Sequence, residues 1–492
     1  MKKIKAVNWM IIVGIVVMCM PMVVCTLYTY PVQDDFFNTW NVRQVMQEGH
    51  SAFGAAFIMA IRGWSDYSGY YFSLFLTYYT DAVVQCSIGG IRACQFLMAI
   101  CFYLSVFLLI KTTIVRVFKY DDRYLPQIVF LFFVCLTSMY YFVEHEDFLW
   151  FCASVIYLIP MIFIFVGIIC MIYVLDTEKY RYLIIPMLLG FLSGGAVLNI
   201  AAFGCIVYIM TAYWGIVIKR RITASVCMCI PMLFAGIINL IAPGNFIRRG
   251  KPLTGEEILS TAIGTYHYVL SRVKMFLLHY PLFAAVLIAL IVILFLWKPK
   301  NLNYKFYVPL LFTFMMFLAV WIVIFPVALG YGMNIYYMME RSNFVSDFVI
   351  FLAAFLTIFY WRGWMAFKFS KVNIKEKYEP AAILLIFLIF MISIIMSAKM
   401  DHIASLRIYR ELIGGEIPAY AQWNVSVIEK IEDAVERAGE GDSIEIQVNK
   451  MEDNVCLINP KFWYGYYDPD VEFANGSLAR FYGVDTVYIY DE

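Results

Sequence analysis

Two adjacent carboxylates, Asp34 and Asp35, follow the first apolar stretch of the chain. Acidic side chains held next to each other repel when both are ionised, and partial removal from water adds to this, so the pKa of one rises. A carboxylate with a raised pKa is suited to act as a general base that deprotonates a hydroxyl group. The alternative interpretation is structural: one carboxylate caps the following helix and the other is a solvated neighbour.

A second acidic group, Glu144 to Asp147 with His145 inside it, lies in a short segment between two apolar stretches. Carboxylates and an imidazole bind divalent metal ions or sugars. Four side chains in one short turn cannot all converge on one metal ion. We therefore assign only Glu146 and Asp147 a role, as residues that line a cavity. The need for a divalent metal ion stays open, and a hydrated turn is the alternative.

Basic residues suited to bind phosphate occur in two places. Arg248, Arg249 and Lys251 lie close together in one loop, and Arg341 stands beside Glu340. Charge-assisted hydrogen bonds from such side chains recognise phosphate or pyrophosphate. The alternatives are binding of anionic lipid headgroups for the first three and a local ion pair for Arg341.

The composition shows that these residues belong to a membrane protein. Of the 492 residues, 63% are hydrophobic and 15% charged, against roughly 25% charged in soluble domains. Apolar stretches of about twenty residues, enough to cross about 30 Å of hydrocarbon, recur along the chain. Soluble, collagen-like and disordered classes are thereby excluded, and a net charge of +1 argues against a nucleic-acid partner.

Hydropathy and charge predict about eleven transmembrane helices with the N-terminus inside and the C-terminus outside. The connecting segments assigned to the cytoplasm carry 20 Lys and Arg residues, whereas the opposite side of the bundle carries nine. We place the spans near residues 7–27, 91–110, 125–143, 152–175, 182–198, 200–218, 223–242, 281–297, 307–326, 342–361 and 380–398.

Three large elements are predicted outside: residues 28–90, residues 243–280 and the tail 399–492. In the first, the pattern predicts a helix from the acidic pair to Gly49, capped by an Asp, whose apolar face lies along the membrane surface. We expect the tail to be a small α/β module with a helix near residues 429–437. Its predicted strands are 443–448, 455–458 and 486–490. Four aromatic residues follow the second strand and are suited either to stacking on sugars or to packing the module onto the bundle: Trp463, Tyr464, Tyr466 and Tyr467.

Cysteine spacing supports neither a zinc site nor a disulfide framework. Only Cys86 and Cys456 fall outside the predicted lipid-embedded segments, so a single bridge between them is the one disulfide that the sequence leaves open. His267, between two tyrosines, has two interpretations: stacking on a sugar or packing at the membrane interface.

At this point the sequence resembles the GT-C superfamily of integral-membrane glycosyltransferases, and within it an uncharacterised bacterial multispan family. Members carry an acidic motif just after the first span, on a loop followed by a surface helix. The matching motifs here are Asp34-Asp35, Trp64 with Gly69-Tyr70-Tyr71, Glu146-Asp147-Phe148-Leu149-Trp150 with Tyr157 and Pro160, Ala242-Pro243-Gly244-Asn245 with Arg248, and Phe481-Tyr482-Gly483.

The resemblance implies an all-α polytopic protein of the bacterial plasma membrane, with a GT-C-like bundle at residues 1–398 and an extracytoplasmic module at 399–492. It implies inverting transfer of a sugar from a polyprenyl-phosphate donor to a cell-surface glycan or lipid-linked acceptor on the outer face. Asp34 or Asp35 is then the base, and the basic residues above hold the donor phosphate. The residues assigned to the acceptor or cavity are Glu146, Asp147, Trp150, Trp64, Tyr70, His267 and Asn245.

Two other classes of function remain open from the sequence. One is a transporter or flippase for a lipid-linked envelope precursor, which predicts polar residues deep in the spans and internal repeats. The other is a non-catalytic scaffold for envelope assembly that binds through its tail.

Overall fold

The computed structural model describes residues 2–119, 124–138, 146–250, 252–296, 308–331, 340–368, 378–399, 403–439, 441–449, 451, 455–458 and 469–491. The helices in these ranges are α1 Lys2–Cys25, α2 Gln33–Gln47, α3 Ala52–Asp66, α4 Tyr71–Val84, α5 Ile88–Thr112, α6 Leu125–Ser138, α7 Glu146–Leu149, α8 Phe151–Thr177, α9 Ile184–Gly194, α10 Leu198–Val217, α11 Ile222–Leu240, α12 Pro243–Arg249, α13 Gly255–His279, α14 Pro281–Leu296, α15 Pro309–Tyr331, α16 Glu340–Lys368, α17 Glu379–Lys399, α18 Ala404–Gly414, α19 Glu416–Arg437 and α20 Pro469–Tyr482. Two strands, β1 Ser443–Val448 and β2 Thr486–Asp491, complete the set.

Eight segments of the described chain are long and apolar enough to cross a membrane, which makes this an α-helical, multi-pass membrane protein. They correspond to α1, α5, α8, α10, α11 with α12, α15, α16 and α17. Their buried sides form one continuous apolar core in which phenylalanines from several helices meet, such as Phe102, Phe165 and Phe348.

Three of the eleven predicted spans take another form. The helices at Leu125–Ser138 and Tyr180–Gly194 are apolar but short, and about 1.5 Å of rise per residue leaves them below the thickness of the hydrocarbon core. The predicted span 281–297 is the second half of a pair, α13 and α14, bent by 86°. Residues 243–280, predicted as one of the large outer elements, consist mostly of the helices α12 and α13.

One end of the bundle is joined by a single carboxylate. Asp176, at the end of α8, accepts hydrogen bonds from Arg116 at 2.8 Å, Lys119 at 3.0 Å and Lys219. These residues come from three connecting segments that the charge pattern assigns to the cytoplasmic side. The three segments therefore lie together at one end of the structure.

The predicted helix after the acidic pair is confirmed as α2, which ends before Gly49 at φ +96°. The predicted Asp cap is wrong: Val32 is the N-cap residue, and Asp35 occupies the third helical position. The expectation that the apolar face of α2 contacts lipid is also wrong, because Phe36, Val42 and Val45 are buried against other parts of the protein.

In the tail, β1 and β2 pair in parallel, with Ser443 opposite Thr486 and Val448 opposite Asp491. The strands predicted at 443–448 and 486–490 and the helix near 429–437 are confirmed. The strand predicted at 455–458 is wrong, because this segment is a bend whose Ile458 carbonyl accepts a hydrogen bond from Tyr30 at 2.5 Å. The aromatic residues at 463–467 lie outside the described residues.

Candidate functional site

Asp35 is the central carboxylate of the site and has no exposed surface (0%). Its Oδ2 accepts a hydrogen bond from the Val32 N–H at 2.9 Å, and its Oδ1 accepts one from the Cys152 N–H at 3.0 Å. Cys152 lies in the first turn of α8, where backbone N–H groups have no partner within the helix. One carboxylate thus joins the N-terminal ends of α2 and α8.

Burial raises the pKa of Asp35 to about 8, and the adjacent Asp34 adds to the rise, whereas the N–H bonds from Val32 and Cys152 lower it. The raised pKa that the sequence predicts for one member of the pair therefore falls on Asp35. Both of its oxygens are engaged inside the protein. Asp34 is partly exposed, so it is the member of the pair that a substrate can reach.

Asp81, in α4, is a third carboxylate that sequence reasoning missed. It is 1% exposed, and its Oδ2 has no hydrogen-bond partner among the described residues. Burial raises its pKa well above the ordinary range, with further contributions from Asp35 and Asp34. The available signal was that Asp81 is the one charged residue in the sequence of α4.

Tyr78 connects these carboxylates to the neighbouring loops. Burial raises the pKa of its phenol, and Cys152, Asp81, Tyr67 and Asp34 add to the rise electrostatically. The helix α4, which carries Tyr78 and Asp81, packs against α2, α3 and α8, so these residues belong to one site.

Cys86, just after α4, contacts the start of α2. Its thiol donates to the Asp35 carbonyl at 3.3 Å and lies 3.2 Å from the Thr39 hydroxyl. Gln85 and Cys86 have φ values of +56° and +58°, a left-handed conformation that is costly for residues other than glycine. Both Cys86 and Cys456 are free thiols, so the disulfide left open by the sequence does not form.

Arg248 is the basic side chain that reaches this site. Its guanidinium lies over the Tyr67 ring, 4.5 Å from the ring centre, in a cation–π contact. Tyr67 is one of the groups that raise the pKa of Tyr78, so this contact connects Arg248 to the site.

Asn245 fixes the loop that carries Arg248. Its Oδ1 accepts hydrogen bonds from the Ser68 hydroxyl at 3.1 Å and the Gly69 N–H at 2.8 Å. Its Nδ2 donates to the carbonyls of Asn239 at 2.7 Å and Leu240 at 3.3 Å. The side chain predicted to line the cavity thus binds two loops together.

Arg249 does not share the position of its neighbour. Its side chain is 6% exposed, donates to the Leu329 carbonyl at 2.7 Å and forms an ion pair with Glu257 at 2.8 Å. These bonds join α12 to α13 and α15, and the predicted place of Arg249 at a donor phosphate stays a prediction. Lys251 and the side chain of Arg341 lie outside the described residues.

The other predicted cavity residues have different positions. The Trp64 indole donates to the Ile238 carbonyl at 3.3 Å, and Tyr70 is buried with its ring against Tyr67. His267 is exposed and its ring packs against Tyr266, which fits the interfacial interpretation.

Three more of the predicted cavity residues lie at α7 and its junction with α8, close to the site. Asp147 and Trp150 are buried at α7 and its junction with α8, two to five residues before Cys152, and Glu146 begins α7. Glu144 and His145 lie outside the described residues. Gln95 of α5 fixes this junction by donating to the Phe148 carbonyl at 3.1 Å.

Within the described ranges, no group of three or more His, Cys, Asp or Glu side chains is placed to hold a metal ion. Comparison with known protein families, curated proteins and solved structures gives no match to this chain. A functional assignment therefore depends on the geometry of the site and on the motifs of the sequence.

Proposed function

We propose that this protein is a membrane glycosyltransferase that moves a sugar from a polyprenyl-phosphate donor to a glycan or lipid-linked acceptor. The observation that carries the proposal is the partly exposed Asp34 in one site with two buried carboxylates and Arg248. A base and a phosphate-binding cation in one site are the two groups that this reaction needs. The GT-C-like position of the acidic pair supports the same conclusion.

In this mechanism Asp34 accepts the proton of the acceptor hydroxyl while the hydroxyl oxygen bonds to the anomeric carbon of the sugar. The bond from that carbon to the phosphate oxygen breaks in the same step, so the configuration inverts. Arg248 stabilises the charge that develops on the leaving phosphate. Burial raises the pKa of both Asp35 and Asp81, which favours their neutral forms and so lowers the negative charge that would oppose ionisation of Asp34.

We place the site on the outer face of a bacterial plasma membrane, from the distribution of Lys and Arg. The segments joined at Asp176 then form the cytoplasmic end of the bundle.

The test compares lipid-linked sugars and surface polysaccharide in source cells that carry the wild type, Asp34→Asn or Arg248→Gln, with matched membrane levels of the protein. Loss of the base lowers transfer by on the order of 10²-fold or more, so the polyprenyl-linked donor accumulates in the Asp34 variant. Asp433→Asn, an exposed carboxylate of α19, is the matched control and keeps normal glycans. Unchanged glycans in Asp34→Asn would remove the core of the proposal.

One observation favours a transporter or flippase as a second candidate. Arg272 and Asp347 form a buried ion pair between α13 and α16, with Arg272 Nε 3.1 Å from Asp347 Oδ1. Ionisable residues inside a helical bundle and a bent helix such as α13–α14 are features of transport proteins. A transporter would lose activity in Asp347→Asn and keep it in Asp34→Asn. A glycosyltransferase with Asp34 as its base would lose activity in Asp34→Asn.

A further inference from the structure

The last helix of the chain packs along the helix that carries the acidic pair. The Phe481 ring of α20 meets Phe36 edge to face with 5.2 Å between ring centres, and the Arg43 guanidinium lies 4.2 Å from the centre of the Phe481 ring. Further along the same contact, Phe37 packs against Phe473 at 5.4 Å. The tail thus covers the outer face of α2 over more than one turn.

Phe481 is connected to Asp35 by two short routes. In the first, Phe481 packs against Phe36, which follows Asp35 in the chain and is 1% exposed. The second passes through Arg43, which donates a hydrogen bond to the side chain of Gln85, and then through Cys86, whose thiol donates to the Asp35 carbonyl.

The second route includes the two consecutive left-handed residues, Gln85 and Cys86. Such conformations persist only where surrounding contacts hold them. Gln85 is bound to the end of α4, through its N–H to the Asp81 carbonyl at 2.9 Å and its side-chain amide to the Ala82 carbonyl at 2.7 Å. The contacts that tie the pair to α2 are the Arg43 bond and the bonds of Cys86 to Thr39 and Asp35, and Phe481 covers Arg43.

We propose that Phe481 is a positioning residue, which through Phe36 and Arg43 holds the start of α2 and thereby the Asp34–Asp35 pair in place. The tail is then a part of the framework of the site. The importance of Phe481 for catalysis rests on the proposed function, whereas its role in the placement of α2 does not.

The placement is tested by chemical labelling of Cys86 in the full-length protein in detergent. A water-soluble maleimide is applied to the wild type, Phe481→Ala and Phe481→Tyr, and the modified peptides are quantified by mass spectrometry. Phe481→Ala removes one aromatic pair and one cation–π contact, so the start of α2 opens on the order of tenfold more often. We therefore expect Cys86 in this variant to react with the maleimide on the order of tenfold faster. Phe481→Tyr, which keeps the ring, restores the slow rate.

Two controls separate this local effect from general damage. Tyr488→Ala removes a half-exposed aromatic side chain of β2 (52% exposed) and leaves the Cys86 rate unchanged. Cys456 is buried at another attachment of the tail, where its N–H donates to Glu411 at 2.7 Å, and it stays protected in Phe481→Ala. An unchanged Cys86 rate, or a rise at Cys456 as large as that at Cys86, would overturn the proposal.

Enzyme kinetics then connect placement to catalysis. Because Phe481 does not contact the substrate in this scheme, Phe481→Ala lowers kcat for sugar transfer by on the order of tenfold with an unchanged KM for the polyprenyl-phosphate sugar, and Phe481→Tyr restores it. A change confined to KM would contradict a positioning role. If the wild type shows no transfer at all, the proposed function fails while the labelling result still decides the placement of α2.

Discussion

Asp35 makes the stability of this protein depend on pH in a way that one isosteric substitution removes. Its pKa in the folded protein is about 8 because of burial, and an Asp in an unfolded chain titrates near ~3.9. Between these values the folded state holds a proton that the unfolded state has lost. The contribution of Asp35 to the free energy of unfolding is thus complete below the unfolded pKa and is lost as the pH rises through the folded one.

The magnitude follows from the proton difference. Each pH unit in this window lowers the free energy of unfolding by about 1.4 kcal/mol, so the full range from about pH 5 to about pH 8 is worth up to about 4 kcal/mol. In Asp35→Asn, residue 35 does not titrate and makes no pH-dependent contribution to the free energy of unfolding. It adds a constant cost of about 1–3 kcal/mol, because its amide NH2 faces a backbone N–H of Val32 or Cys152 that then has no acceptor.

The assay is thermal unfolding of the detergent-solubilised wild type and Asp35→Asn at matched scan rates over this pH range. We expect the wild type to be the more stable protein at the acidic end and its advantage in melting temperature to fall as the pH rises. The advantage reverses toward pH 8, because a loss of up to about 4 kcal/mol exceeds the constant cost of about 1–3 kcal/mol. Burial is the largest cause of the raised pKa of Asp81 and is the same in both proteins, so most of its slope cancels in the difference. A wild-type advantage that stays constant or grows with pH would refute this reasoning and show that the two N–H bonds hold Asp35 as a carboxylate.

Three further predictions concern the framework of the site. Asn245→Ala removes four hydrogen bonds and lowers the free energy of unfolding by about 2–4 kcal/mol, measured by thermal unfolding; a loss under about 0.5 kcal/mol would contradict the bracing role. Gly244→Ala places a methyl carbon 2.5 Å from a backbone nitrogen of the facing loop and lowers the yield of monodisperse protein in size-exclusion chromatography, whereas Gly255→Ala, which meets open space, keeps a normal yield. Arg272→Ala and Asp347→Ala each cost about 3–5 kcal/mol by leaving a buried charge, and the double variant costs less than the sum; additive losses in the double-mutant cycle would mean that the pair is not coupled.

The sequence predicted those parts of the fold that depend on local composition. The eight spans, the helix after the acidic pair and the two tail strands each show a clear pattern of apolar residues within about twenty consecutive residues. The form of α13 was missed because its polar residues, such as Arg272, are typical of a loop until their partner is known. That partner, Asp347, lies on another helix.

The residue types of the site could be predicted from the sequence, but the role of each individual residue could be predicted less well. An adjacent acidic pair predicts one raised pKa, but only the packing of α8 shows that Asp35 is the buried member. Arg248 and Arg249 are equivalent in the sequence, and their contacts separate them: Arg248 lies over the Tyr67 ring, whereas Arg249 binds Glu257 and the Leu329 carbonyl. Asp81 was missed because a single acid near the end of an apolar helix is equally typical of a solvated end.

The contact between Phe36 and the last helix also constrains the order of assembly during synthesis. Phe36 and Phe481 are about 445 residues apart in the chain. At about 5 to 20 residues per second, Phe481 is synthesised roughly 20 to 90 s after Phe36. During that time α2 lacks the helix that covers Phe36, so the contact between α2 and α20 forms only after the intervening helices have been made.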